Sequence, residues 1–574
     1  MTPPVFPENI NHLWAAVCVE ECVRQGITAF CIAPGSRSTP LTTAAARHPS
    51  ADVRILIDER GAAFHALGYA RASGRPAVLI CSSGTAAANF YPAVIEASQE
   101  NVPMLIFSAD RPPELRDTGA NQTIDQVGLF GGYAREFYDI PPPSESVPLR
   151  WLLRTLAQGI HRSREPHRGG PVHFNFMFRE PLAPTVEPIA GAIQKEARAY
   201  FSRQRPALET PYPIQILPDA ILDEIGNLQD VCIIAGRLSS KKEAQAVRRL
   251  ADHLGAPLIT DITSGLRLDK SERVLPYADL MLLHPDFRSF LHSRPILHFG
   301  GQWVSKRLLQ TLETHEGPYY NLTPFDRVTD PAMQQTTRIV TDVTAACDQL
   351  MAHIPSGSSG LPENIVRLHA QIHTLWSEYR TADDPLDELY IARTLARHAE
   401  NALFIASSMP IRDMDMAAEA GRGYLPVGAN RGASGIDGTI ASALGFSRGL
   451  EKPLTLLIGD LAFLHDMNSL MQLKAHNRPV TIVLVNNHGG AIFHHLPIAG
   501  FDDLLVPWFT TPHEYDFEAT ARQFGLDYQR IESPVSLEKA LKQKADRHRL
   551  LEVLVDAEYN VRQHRRLYER IRGL

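Results

Sequence analysis

Nothing in these 574 residues is apolar for long enough to cross a membrane; the longest apolar runs, such as Val480–Val485, are only strand-length. Cysteine is sparse. Cys18, Cys22, Cys31, Cys81, Cys232 and Cys347 are scattered with no CxxC pair, so neither a disulfide framework nor a thiolate metal site is indicated. They read as core thiols in a reducing compartment. Basic charge is not in excess either: 57 Lys and Arg stand against 64 Asp and Glu, a net charge of −7. The broad basic face that neutralises nucleic-acid phosphates is therefore missing. No low-complexity tract appears, and no basic segment followed by an apolar one opens the chain, so the cytoplasm is the expected location.

What is there is an ordinary globular composition, 44% hydrophobic and 21% charged. Short runs rich in branched residues recur: Ala77–Cys81, Met104–Phe107, Val231–Ala235, Leu454–Ile458 and Val480–Val485. They end at Gly, Ser, Asp or Asn, and helix-length segments lie between them. Continuous apolar runs suit parallel strands buried on both faces, so the fold class is α/β. A proline-rich stretch at Glu180–Glu187 and a Pro/Gly/Ser-rich stretch at His353–Asn364 mark two boundaries. The expected organisation is three domains, 1–187, 188–355 and 356–574, each a mostly parallel sheet flanked by helices.

The sharpest pattern lies in the last piece. PLTLLIGD puts Asp460 just past a buried strand, and PVTIVLVNNHGG puts Asn486 and Asn487 just past another, Asn487 falling 27 positions after Asp460. One crossover helix fits between them. In open parallel sheets, ligands collect at the carboxyl ends of strands. A carboxylate and an amide oxygen side by side are hard donors suited to Mg²⁺, or Mn²⁺, carrying phosphate oxygens. Gly489 lets the backbone approach closely and offers a carbonyl. The plainer alternative has Asp460 capping a helix and the asparagines making a turn.

A second acid, Glu59, stands where a strand ending near Asp58 meets a helix opening at Gly61. Alone it reads as a first-turn acid facing the helix dipole. Ser83, Gly84 and Thr85 follow the next strand at a helix start.

The GD–NN spacing resembles the binding motif of the thiamin-diphosphate-dependent enzymes, with Leu461 in place of the usual third glycine. The resemblance extends over essentially the whole chain. It is carried by APGSRSTPL from Ala33, DERGAAFHALGYA from Asp58, SADRPPEL from Ser108, GANQTIDQ from Gly119, ANRGASGIDG from Ala429 and NNHGGAIFHHLP from Asn486. It is closest to the menaquinone-pathway branch, which joins 2-oxoglutarate, after loss of CO₂, to isochorismate.

The resemblance implies thiamin diphosphate and a divalent metal held by Asp460, Asn487 and Gly489. It makes Glu59 the acid on the aminopyrimidine ring, with Ser83, Gly84 and Thr85 flanking the cofactor. Ile436 would prop the cofactor's bent form, and Ile492, Phe493 and Leu496 would wall the reacting side. For the two anionic substrates it implies Ser36, Arg37, Arg111, Asn121, Gln122, Lys306, Arg307, Ser408, Arg412 and Arg431; arginine's planar fork suits carboxylates. Because the family's cofactor lies between two subunits, a homodimer or homotetramer is implied. Another 2-oxoacid decarboxylase or carboligase, and a non-catalytic metabolite-binding protein on the same scaffold, are the alternatives. The basic C-terminal VRQHRRLYERIRGL reads as a solvated or interface helix rather than a nucleic-acid binder.

Overall fold

The computed structural model describes residues 7–357, 360–380 and 384–574; residues 358 and 359 of the His353–Asn364 stretch lie outside the described set. Three parallel sheets organise the chain. The first contains β1 (Ala29–Ile32), β2 (Asp52–Ile55), β3 (Ala77–Cys81), β4 (Met104–Asp110), β5 (Glu136–Ile140) and β6 (Pro171–Met177), in the order β2-β1-β3-β4-β6-β5. The second contains β7 (Cys232–Ala235), β8 (Leu258–Thr260), β9 (Ile296–Phe299), β10 (Tyr319–Thr323) and β11 (Thr337–Val340), in the order β11-β10-β9-β7-β8. The third contains β12 (Leu403–Ile405), β13 (Val427–Gly428), β14 (Leu454–Gly459), β15 (Val480–Asn486), β16 (Asp527–Ile531) and β17 (Arg549–Leu554), in the order β13-β12-β14-β15-β17-β16.

Counted from their own first strands, the first and third sheets have the same order. Sequence identities did not reveal that kinship; the strand connections do. In both, the chain leaves the first strand toward one edge and returns to its other side, which opens a crevice at the carboxyl ends of the central strands. Every residue of β3, β4 and β15 is buried, which is why their stretches Ala77–Cys81, Met104–Phe107 and Ile482–Val485 read as apolar runs. All six cysteines are free and buried.

The chain divides into two compact units. One runs to Tyr212 and takes in Asn430–Glu451 and Asp466–Ala475; the other holds Pro213–Ala429, Lys452–His465 and His476–Leu574. The first unit contains the first sheet and the helix Thr439–Leu450, which packs along the helix Glu59–Ser73. The second contains the other two sheets, whose shared core includes Ile234, Phe287, Trp376, Leu403 and Val483.

Two local expectations are corrected. The strand before Glu59 ends at Ile55, and the helix opens at Glu59 itself, because the Asp58 side chain accepts the Arg60 N–H at 2.9 Å and caps it. The segment between Asp460 and Asn487 is not one helix. It breaks into Asp460–His465 and a 3₁₀ stretch, Met467–Ala475, with buried Asp466 at the break. The Asp466 carboxylate accepts the Ala441 N–H at 3.0 Å and the Ser469 hydroxyl at 2.8 Å, which takes the junction out of the helical ladder.

Candidate active site

In the first unit the candidate residues gather at strand ends. Gly35, in the turn after β1, packs so closely on the turn after β3 that a Cβ at 35 would lie 2.3 Å from the Ser82 Cβ. The Ser36–Arg37 turn and the Ser83–Thr85 turn are thereby neighbours. Gly84 has φ +86°, and its N–H donates to Gln126 Oε1 at 2.8 Å. Ser83 and Gln122 hold each other reciprocally: the Ser83 hydroxyl donates to the Gln122 carbonyl at 3.0 Å, and Gln122 Nε2 donates to the Ser83 carbonyl at 2.9 Å. Asn121 beside it is exposed, as are Ser36 and Thr85.

Arg37 is buried, donating to the Phe178 carbonyl at 2.9 Å and pairing with Glu180 at 3.1 Å. Arg111, after β4, is half-buried, and its Nε is without a hydrogen-bond partner. Glu59 is half-buried at the first turn of its helix, close enough for its charge to help raise the Cys81 thiol pKa after the larger effect of burial. In the ANRGASGIDG string, Glu96 accepts the Gly432 N–H at 2.8 Å and the Ala433 N–H at 2.6 Å, and Arg71 bridges Glu96 to Asn430. Arg431 is half-buried on this anchored loop, and Ile436 is 37% exposed.

In the second unit, Asp460, Asn487 and Gly489 are brought together. The Asp460 carboxylate accepts the Leu461 N–H at 2.6 Å and the Gly489 N–H at 3.0 Å, with His513 Nε2 at 3.3 Å. Burial raises the Asp460 pKa, and these N–H groups oppose the rise. Gly489 has φ +147°, and a Cβ there would meet the Thr510 carbonyl at 2.5 Å, so glycine is required. Asn487 Nδ2 donates to Glu388 at 2.8 Å, while its buried Oδ1 has no hydrogen-bond partner. An anionic oxygen and an unpaired amide oxygen at neighbouring strand ends form the donor set that hard divalent cations take. Ile492 and Phe493 are half-buried just beyond, Phe493 packing edge-on against Phe509 at 5.4 Å; Leu496 is 41% exposed.

The remaining basic candidates lie on helix starts. Ser305 caps the helix Lys306–Leu312, where Lys306 is exposed and Arg307 pairs with Asp279 and stacks 4.4 Å over the Tyr568 ring. Ser408 has φ +73° and precedes the helix Met409–Ala417; Arg412, one turn on, donates to its carbonyl. Arg307 Nη1 donates to Met416 Sδ at 3.5 Å, at the far end of that same helix.

Sequence reasoning missed Glu96, Gln126, His513 and a buried polar network. In that network Asp413 bonds His564 Nε2 at 2.9 Å, and Glu388 stands beside Asp413. Burial and the Asp413 charge push Glu388 up to about 8; burial works to lower His564, but the Asp413 charge together with the hydrogen bonds to Asp413 and the Asn560 carbonyl lifts it to about 9. His495, 4.9 Å from the His564 ring, is pushed down to about 4 by burial.

Family models agree with the class that this architecture defines. The N-terminal TPP binding domain of thiamine pyrophosphate enzymes matches residues 14–129, the middle domain of such enzymes 212–405, and their C-terminal TPP binding domain 414–554. The protein is a thiamin diphosphate (thiamine pyrophosphate) enzyme. Among curated relatives, the 2-succinyl-5-enolpyruvyl-6-hydroxy-3-cyclohexene-1-carboxylate synthase of Salinibacter ruber is 43% identical over 97% of this chain and 96% of its own length. The synthases of the same name from Rubrobacter xylanophilus, at 41% over 97% and 98%, and Chlorobium phaeovibrioides, at 40% over 98% and 97%, are similar along their whole length. The chain belongs to the 2-succinyl-5-enolpyruvyl-6-hydroxy-3-cyclohexene-1-carboxylate synthase family. Among the described residues, no helix is long and apolar enough to cross a membrane.

Proposed function

We propose that this chain removes CO₂ from 2-oxoglutarate and joins the remaining four-carbon unit to isochorismate, a step of menaquinone biosynthesis. It works with thiamin diphosphate and Mg²⁺, for which Mn²⁺ can substitute, as a homodimer or homotetramer in the cytoplasm, on domains 1–187, 188–355 and 356–574. The observation that carries the reading is the meeting of the Asp460 carboxylate and the unpaired Asn487 oxygen at neighbouring strand ends, in a chain 43% identical to a synthase of that name.

Bound thiamin diphosphate supplies a nucleophilic carbon for the keto group and an electron sink for the departing CO₂. The C1–C2 bond of 2-oxoglutarate breaks, its C2 bonds to the activated alkene of isochorismate, and the adjoining ring carbon takes up a proton. Asp460, Asn487 and the Gly489 carbonyl would hold the metal, which supplies positive charge for the diphosphate. Glu59 would hydrogen-bond the aminopyrimidine ring of the cofactor, the task for which a positioned acid is needed. The Ser83–Gly84–Thr85 turn flanks the cofactor.

Arg37, Arg111 and Arg431, with Ser36, Asn121 and Gln122, are the groups of the first unit that orient substrate carboxylates. Lys306, Arg307, Ser408 and Arg412 have the same task in this reading, and fixed cations supply reacting geometry without reorganisation. Ile436, Ile492, Phe493 and Leu496 present apolar surface that keeps water from the reacting carbon.

The test is CO₂ release from 2-oxoglutarate with Mg²⁺ and thiamin diphosphate, with and without isochorismate. Release that requires isochorismate is the expected result. Brisk release without it would mean a simple decarboxylase, and no release from any 2-oxoacid despite tight cofactor binding would leave a non-catalytic binding protein.

A further inference from the structure

The side chain of Asn487 has two chemically different ends of nearly the same shape. Only its oxygen can bind a cation; its NH₂ cannot. Which end faces Asp460 is decided by what the other end meets. That partner is Glu388, the first residue of the helix Glu388–His398, which lies 99 positions earlier in the chain. Its carboxyl oxygen takes the Asn487 Nδ2–H at 2.8 Å, and it accepts that bond whether the group is ionised, with no donor to offer the Asn487 oxygen, or carries a proton shared with the neighbouring Asp413 carboxyl. The amide oxygen is left buried and unpaired.

Glu388 is itself held. Asp387 caps its helix, accepting the Tyr390 N–H at 2.9 Å, and the Glu388 N–H donates to Asn560 Oδ1 at 2.9 Å on the C-terminal helix Ala557–Arg572. Asp413 lies against it, and Asp413 is fastened by His564 from that same C-terminal helix. Glu388, Asp413 and His564 are 5%, 1% and 0% exposed, so this packing leaves the Glu388 carboxyl little room to turn away.

We propose that Glu388 is a positioning residue for the metal centre: by accepting the Asn487 Nδ2–H it fixes the rotamer that presents the Asn487 oxygen to the cation. The inference rests on the reading of Asn487 as a metal ligand. It adds a residue that touches neither metal nor substrate, anchored through the C-terminal helix.

The experiment measures Mg²⁺ half-saturation of thiamin diphosphate binding by calorimetry on the full-length protein, with thermal melts lacking Mg²⁺ and cofactor as the check on folding. Glu388→Met removes the acceptor and keeps the bulk; it is expected to weaken Mg²⁺ binding ~10–100-fold, the usual cost of losing an outer-shell partner. Glu388→Gln keeps a carbonyl acceptor and should stay near wild type. The deciding variant is Glu388→Met combined with Asn487→Asp, because a carboxylate presents oxygen in either orientation. Its Mg²⁺ affinity should return to that of Asn487→Asp alone. A Glu388→Met loss that Asn487→Asp does not repair, or no loss at all, would overturn the proposal. If Glu388→Met does not fold, Glu388→Ala carries the same comparison. Asn487→Ala tests the underlying reading separately: wild-type Mg²⁺ dependence in that variant would remove Asn487 as a ligand whatever Glu388 does.

Discussion

Gly68 and Ser442 meet main chain to main chain: a Cβ on Gly68 would lie 2.0 Å from the Ser442 carbonyl oxygen. The contact is one of a series. A Cβ on Gly445 would lie 2.0 Å from the His65 carbonyl, and one on Gly449 would lie 2.6 Å from the Tyr69 carbonyl. The helix that Glu59 opens is thus seated on the helix after Ile436 through glycines.

Gly68→Ala and Gly445→Ala should each destabilise the protein. Overpacking a close-packed site costs about 1–3 kcal/mol, and here the clash is with backbone that cannot rotate away. Thermal melts without cofactor check this. A wild-type midpoint in both variants would mean that the two helices do not meet as described.

His564 makes stability pH-dependent on the alkaline side. Its folded pKa of about 9 lies above the unfolded value of 6.5, so its contribution is fully present below pH 6.5 and is lost as pH rises toward 9. The loss is on the order of a few kcal/mol. Glu388, raised to about 8, shifts stability in the same direction at lower pH, so the comparison must be between variants. Denaturant melts of wild type and His564→Gln from pH 6 to 9.5 should converge as pH rises. A gap independent of pH would rule out the Asp413–His564 ion pair as its source.

Chelation should strip the cofactor. EDTA treatment is expected to release thiamin diphosphate, and Mg²⁺ or Mn²⁺ should restore binding, since both accept hard oxygen ligands. Asp460→Asn, which loses the anionic donor, should not be rescued by added metal. Equilibrium dialysis of the cofactor decides it, and tight cofactor retention by the chelated wild type would count against the metal.

Glu59→Gln separates chemistry from binding. Glu59 is not among the residues assigned to the metal and diphosphate, so cofactor retention should survive while CO₂ release falls at least ~100-fold, the scale of a lost positioned acid. An active Glu59→Gln enzyme would reassign that proton to another group.

The central strands and the polar residues just past them were legible because their signals are local. A strand buried on both faces is largely apolar, as Val480–Val485 is, and the polar residue that ends it stands out. Asp460 and Asn487 were found in that way. The single crossover helix expected between them breaks at Asp466, whose carboxylate is spent on the Ser469 hydroxyl and on the Ala441 N–H 25 positions earlier, a partner that no short window of sequence contains. Glu96 and Glu388 look like ordinary helical acids until their long-range partners are seen.

The chain's order of residues therefore determined by itself the α/β class, the central buried strands, and the residue types that follow β14 and β15, because burial and backbone geometry act over a few neighbouring positions. Only the tertiary structure decided which polar atoms are used up and which stay available. It ties Arg37 to Glu180, fastens Gln122 to Ser83, and leaves the Asn487 oxygen unpaired because Glu388 occupies its other end. Hydrogen bonds saturate, and which bond a group makes depends on which segments the fold brings within about 3 Å.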